Sequence, residues 1–248
     1  MKTLNRRIAS EFLGTAFLVA AVVGSGIMGE HLAGGNIAIA LLANTIATGA
    51  ALVALILTFG PISGAHFNPV VTLSDAWERG VPWPETPHYI LAQILGGMFG
   101  AVTAHLMFGF PILSVSLHPR VGVSQWFSEF VASFGLVSVI WGCSRTRSNF
   151  VAFAVGAYIT AAYWFTSSTS FANPAVTIAR ALSNTFAGIR PVDVPGFLVA
   201  QLAGGAAATV LFRWLIPGLR ERAKDTVIAR ERANLNGCDS GGMGRRAH

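Results

Sequence analysis

The chain has 248 residues, 53% of them hydrophobic and 11% charged, with a formal net charge of +6. An ordinary soluble domain carries about 25% charged residues, so this composition cannot cover a soluble fold of this length with polar surface. A soluble enzyme, a disordered chain and a disulfide-stapled domain are set aside, and a polytopic helical membrane protein is expected.

The basic start, Met1 to Arg7, looks briefly like a secretion signal. No small-residue cleavage site followed by polar sequence appears, so the apolar run after it reads as a first span. Six stretches are long enough to cross a bilayer: 8–28, 36–59, 88–108, 125–143, 149–165 and 194–216. None shows the alternating polarity that barrel strands require, so all six are expected as helices.

Two shorter apolar stretches, 64–73 and 170–179, are too short to span. Each places Asn directly before Pro, at Asn68-Pro69 and Asn173-Pro174. Asn is a strong helix N-cap, and Pro at the first helical position lacks only an N–H that would be orphaned there anyway. Each stretch therefore reads as irregular backbone followed by a short helix that starts at Pro69 or Pro174. Such pieces survive at membrane depth only where they line a water-filled cavity or are buried in protein.

Position explains the basic balance. With the N-terminus inside, fourteen of the 17 basic residues fall on inside segments, and only Arg120, Arg180 and Arg190 fall outside. This positive-inside bias, with an even number of spans, puts both termini in the cytoplasm. The basic tail, 217–248, is expected to be disordered and to anchor topology beside anionic lipid. Nucleic-acid binding is not needed. Cys143 and Cys238 read as free thiols.

The two halves match. Ser10-Glu11-Phe12-Leu13-Gly14-Thr15 pairs with Ser128-Glu129-Phe130-Val131-Ala132-Ser133, and Asn68-Pro69-Val70 pairs with Asn173-Pro174-Ala175. Ala92-Gln93-Ile94-Leu95-Gly96-Gly97 pairs with Ala200-Gln201-Leu202-Ala203-Gly204-Gly205. The offsets of 118, 105 and 108 residues (10 to 128, 68 to 173, 92 to 200) keep one order, which chance does not supply three times. Three spans per copy is an odd number, so the second copy (about 125–216) inserts upside down relative to the first (about 8–108). The two short helices then meet near the midplane with Asn68 and Asn173 side by side.

Glu11 and Glu129 are the carboxylates deep in the apolar runs, and they are repeat-equivalent. A buried carboxylate needs donors, and the free N–H groups of a broken segment supply them, so each Glu is expected to brace one re-entrant loop. A proton-relay acid is the alternative, ranked second to the bracing role. Thr15 and Ser133, one turn on, are expected to extend the brace. Gly14, Gly96, Gly97, Gly100, Gly204 and Gly205 read as close helix–helix contacts.

Together these motifs, with Ile62-Ser63-Gly64-Ala65-His66-Phe67 leading into the first Asn-Pro, closely resemble the major intrinsic protein family, the aquaporins and aquaglyceroporins. The resemblance covers about residues 5 to 216. It implies a homotetramer in the lipid bilayer in which each protomer carries its own pore for small neutral solutes. It further implies that the Asn68 and Asn173 amides donate into the lumen. Carbonyls of Gly64, Ala65 and His66, and of Ser168, Thr169 and Ser170, would form an acceptor ladder. Converging helix dipoles oppose a cation at the centre. No cofactor and no metal is expected; His66 reads as structural and no His pair has metal spacing.

Two positions depart from the family pattern. Val70 stands where Ala is usual. Val176 stands where most members carry Arg, whose guanidinium lines the narrowest constriction; Arg180, four residues on, is not assumed to replace it. Spacing from the two Asn residues gives Thr48, Ala161 and Ser170 as the other constriction positions, and with Val176 they imply a wide, uncharged filter. This pattern resembles the bacterial arsenic-resistance-associated subgroup in which Val replaces the filter Arg. The implied solutes are arsenite and antimonite, with methylated arsenicals, glycerol and urea as further candidates. A water-selective pore and a secondary transporter are the rivals, and an enzyme is not expected. The implied location is the cell membrane of a bacterium.

Overall fold

The computed structural model describes residues 3–146 and 148–216. The expected basic tail, Cys238, Met1, Lys2 and Arg147 lie outside the described residues. Among the described residues eight α-helices form, in chain order: α1 (Leu4–Leu32), α2 (Ile37–Ser63), α3 (Pro69–Trp77), α4 (Thr86–Phe108), α5 (Val123–Thr146), α6 (Val151–Phe165), α7 (Pro174–Arg180) and α8 (Val194–Leu215). Short 3₁₀ turns precede α6 and α8.

Five of these helices are long and apolar enough to cross a bilayer by themselves. The fifth span expected from sequence is shorter: α6 has 15 residues, about 22 Å of rise, and the turn Ser148–Phe150 extends it. The two short helices begin at the expected prolines. Asn68 caps α3 by accepting from the Val70 N–H at 2.9 Å, and Asn173 caps α7 by accepting from Ala175 and Val176 at 3.0 and 3.3 Å. Glycine or asparagine elsewhere plays the punctuating role; α2 is capped by the Asn36 side chain and α4 ends on Gly109 at φ 71°.

The packing repeats across the halves. α1 packs on α4 and α2, as α5 packs on α8 and α6, while α2 meets α6 between the halves. The matched glycines show why α1 and α4 approach so closely. A side chain at Gly96 would strike the Phe12 carbonyl, and one at Gly204 would strike the Phe130 carbonyl, which are repeat-equivalent contacts. Gly100 faces the Ala16 carbonyl in the same way, and the Phe67 ring fills the space beside Gly14. Val70 packs against Gly205, so the larger residue of the first motif has a glycine opposite it, within a cluster that includes Val137 and Trp141. Cys143 carries a free thiol.

The face that holds Leu4 and Leu215 is called the near face below, and the opposite one the far face. Buried apolar residues of α1, α2, α6 and both loops form the main core around a central cavity.

Candidate functional site

The backbone before each short helix is built alike. Gly64, Ala65 and Phe67 have φ of 94°, 50° and 49°, and their counterparts Thr169, Ser170 and Ala172 have 61°, 49° and 48°. An L-residue pays roughly 1–3 kcal/mol to hold such a conformation, so the surroundings must fix these loops firmly.

Glu11 and Glu129 do much of this fixing. Glu11 is fully buried and accepts four hydrogen bonds: Oε1 from the Ser63 hydroxyl (2.5 Å) and the His66 N–H (3.0 Å), Oε2 from the Phe67 N–H (2.7 Å) and the Gln93 amide (2.7 Å). Glu129 accepts three, from the Phe171 and Ala172 N–H groups at 2.9 and 2.8 Å and from the Gln201 amide at 2.6 Å. The expected extension through Thr15 and Ser133 is corrected. The Thr15 hydroxyl donates back to its own helix at the Glu11 carbonyl, and the Ser133 hydroxyl has no partner among the described residues.

Gln93 and Gln201 take that place. Each also donates to a threonine, Thr72 at 2.8 Å and Thr177 at 2.9 Å, whose hydroxyl donates on to the Asn68 or Asn173 carbonyl. The recurrence of Gln in the Ala-Gln pairs was the available signal for this chain of bonds. The carboxylate that braces a loop is thus tied, through one glutamine and one threonine, to the asparagine that starts the short helix.

The asparagines are crossed. The Asn68 amide donates to the Ala172 carbonyl at 2.7 Å, and the Asn173 amide donates to the Phe67 carbonyl at 2.8 Å. Each therefore fastens itself to the other half of the molecule. An amide NH₂ has two hydrogens, so one of each remains for another acceptor.

A cavity of about 900 Å³ runs past this pair. On the near side it is lined by Arg7, Tyr89 and Glu85; Arg7 pairs with Glu85 at 2.7 Å, and the Tyr89 hydroxyl donates to the Ser63 carbonyl at 3.1 Å. On the far side its wall includes Thr48, Ser170 and Val176. Gly64, Ala65 and His66 line it as well. The His66 ring sits 3.2 Å from the Thr72 hydroxyl and 3.7 Å from Asp75, and no metal-binding cluster forms among the described residues.

Three expected positions sit elsewhere. Ala161 is on the exposed side of α6, and Tyr163 faces the cavity instead, its hydroxyl donating to Thr48 Oγ1 at 3.3 Å. The reason is helical phase: Val155, Ile159 and Tyr163 follow one another at four-residue steps along the cavity side, and position 161 lies on the opposite face. Ser168 and Thr169 do not line the cavity. The Ser168 carbonyl accepts from the Arg120 guanidinium at 3.0 Å, and Thr169 Oγ1 lies 3.4 Å from it.

The sequence puts Arg120 and Arg180 on outside segments, but does not show how they are tied into the loops there. Arg120 comes from the loop after α4, where its Nε donates to the Gly188 carbonyl at 2.8 Å and its backbone N–H to Asp193 at 2.8 Å. Arg180 is only 2% exposed and lines the cavity. Its Nε donates to the Ala187 carbonyl, and its guanidinium carbon lies 3.4 Å from the centre of the Phe171 ring.

Inverted triplets of apolar helices, two capped half-helices meeting at crossed asparagines, and a cavity polar along the loops define a solute channel through the membrane. The profile of the Major intrinsic protein family matches residues 1–150 and 145–238. The chain belongs to that family, as a multi-pass membrane channel for small polar solutes and not an enzyme. It is 52% identical over 223 residues to aquaglyceroporin AqpS of Rhizobium meliloti (strain 1021), covering 90% of this chain and 95% of that protein. It is 34% identical to aquaporin NIP1-1 of Zea mays, over 95% of this chain and 84% of that protein. Among solved structures, the aquaglyceroporin from Plasmodium falciparum superposes with a TM-score of 0.70 at 21% identity, over 88% of this chain and 99% of that one.

Proposed function

We propose that the protein is a passive pore for small neutral solutes rich in hydroxyl groups, with arsenite, antimonite and glycerol as its main cargo and water passing too. Methylated arsenicals and urea are further candidates. The carrying observation is Val176, which lines the cavity directly after Asn173-Pro174-Ala175 and brings neither donors nor charge. The similarity to a protein named aquaglyceroporin supports the same substrate class.

In this reading a solute exchanges water for the second amide hydrogens of Asn68 and Asn173 and for the carbonyls of Gly64, Ala65, His66 and Ser170. Apolar side chains of α2 and α6 face it from the other wall. The helix dipoles of α3 and α7 both present their positive ends at the asparagines, which disfavours a cation there. Glu11 and Glu129 brace the loops in this reading: the donors they meet are loop N–H groups, a glutamine amide and, for Glu11, the Ser63 hydroxyl. The protein works as a homotetramer in the bacterial cell membrane, with both termini cytoplasmic, and residues 8–216 form the channel.

A water-selective pore gains one specific observation: Tyr163, bonded to Thr48, lines the same cavity as Val176, where the small Ala161 was expected. Stopped-flow light scattering on proteoliposomes, comparing water, glycerol and arsenite, decides between the two. Val176→Arg is expected to reduce glycerol and arsenite flux at least about tenfold while reducing water flux far less. Equal solute flux before and after that substitution rejects the proposed role of position 176.

A further inference from the structure

We infer that Arg180 supplies, from one turn further along α7, the cation-excluding charge that position 176 lacks; this rests on the channel reading above. Residues 176 and 180 are four apart on one helix and so share a face. Helical side chains lean toward the N-terminus, which brings the Arg180 guanidinium back toward the level of Val176. Both residues line the same cavity, with Ser170 and Thr48.

The guanidinium is held and yet unfinished. Its Nε is bound to the Ala187 carbonyl and its face lies on the Phe171 ring, while Nη1, buried, has no hydrogen-bond partner among the described residues. The Ser170 hydroxyl, on the same cavity wall, is also without a partner among the described residues. No carboxylate forms an ion pair with Arg180 among them. The ionisable groups around it are Arg120, Tyr163 and Glu129. Arg120 adds a second positive charge, 4.8 Å from the same Phe171 ring, and Glu129 is already committed to loop N–H groups.

A buried charge with no ion-pair partner among the described residues is expensive, and a neutral amide would satisfy the Ala187 carbonyl at lower cost. The charge makes sense where a cation has to be refused. An arginine remains protonated under all ordinary conditions, so the repulsion is permanent. A neutral polyol or trihydroxylated metalloid meets no such repulsion. The pore is thereby opened at Val176 for bulk and kept closed at Arg180 for charge.

The test uses the full chain in liposomes, with sodium and proton leak read beside glycerol flux. Arg180→Met is expected to raise cation leak by roughly tenfold to a hundredfold, the effect of losing one nearby charge at intermediate dielectric, while glycerol still passes. Val176→Arg combined with Arg180→Met is expected to restore the low leak. Arg180→Lys keeps the size and charge of the side chain; its leak is expected to rise between about pH 6.5 and pH 9 as the desolvated amine loses its proton, while the wild type stays flat. Unchanged leak in a glycerol-conducting Arg180→Met protein, or a flat pH profile in Arg180→Lys, overturns the inference. Absence of glycerol flux in the wild type would instead overturn the channel reading.

Discussion

Two carboxylates show how much a single side chain decides in this protein. Glu11 and Glu129 convert a costly buried charge into the anchor of a loop, because each meets several N–H groups that no helix or sheet would otherwise satisfy. Glu11→Gln replaces an acceptor oxygen by a donor that faces other donors. It is expected to cost about 1–3 kcal/mol for each N–H left unsatisfied, seen as a lower thermal midpoint in detergent with Glu129→Gln showing the same sign. A double cycle with Gln93→Leu is expected to show coupling of about 0.5–3 kcal/mol, since the two share a bond at 2.7 Å. The braces were legible in the sequence because a repeated acid in an apolar run has few uses. Their glutamine and threonine continuation was not, because those residues are ordinary in helices and gain their meaning only when three elements meet. Position 163 was missed for another reason: counting back from Asn173 fixes distance along the chain but not the rotation of α6. Ala161→Phe is accordingly expected to leave glycerol flux within about twofold, whereas Tyr163→Ala is expected to raise it, in the same light-scattering measurement.

At the level of elements, glycine sets the distances between helices. The α1–α4 and α5–α8 pairs approach so closely that the carbonyls of Phe12 and Phe130 occupy the space a side chain would take on the neighbouring helix. Gly96→Ala and Gly204→Ala are each expected to destabilise by about 1–3 kcal/mol, with similar magnitude because the contacts are equivalent. Gly205→Ala is expected to be relieved by Val70→Ala, which removes the methyl groups it would strike; thermal unfolding of the single and double variants checks this. The starts of α3 and α7 were readable to the residue from Asn-Pro, since cap and proline act locally. The length of α6 was not: its apolar run spans the bilayer in composition, but the first residues form a 3₁₀ turn in place of a helix. Periodicity measures which residues are apolar and says nothing of where a helix tightens.

Across the whole molecule, the three basic residues of the far face are all built into its mouth. Arg120 and Arg180 hold loop carbonyls, and Arg190 pairs with Asp193 at 3.0 Å. The inverted repeat was legible because its motifs recur in register, but the loops of the far face were not, since Arg120, Asp193 and the carbonyl of Gly188 carry no common pattern before folding. The crossed amides have a consequence for how such a chain comes into being. A ribosome delivers Asn68 long before residue 172, so the first half enters the membrane with its amide and the Phe67 carbonyl still waiting for partners on a segment not yet made. The first re-entrant loop can only be completed by the last third of the chain, so the centre of the pore closes late in synthesis.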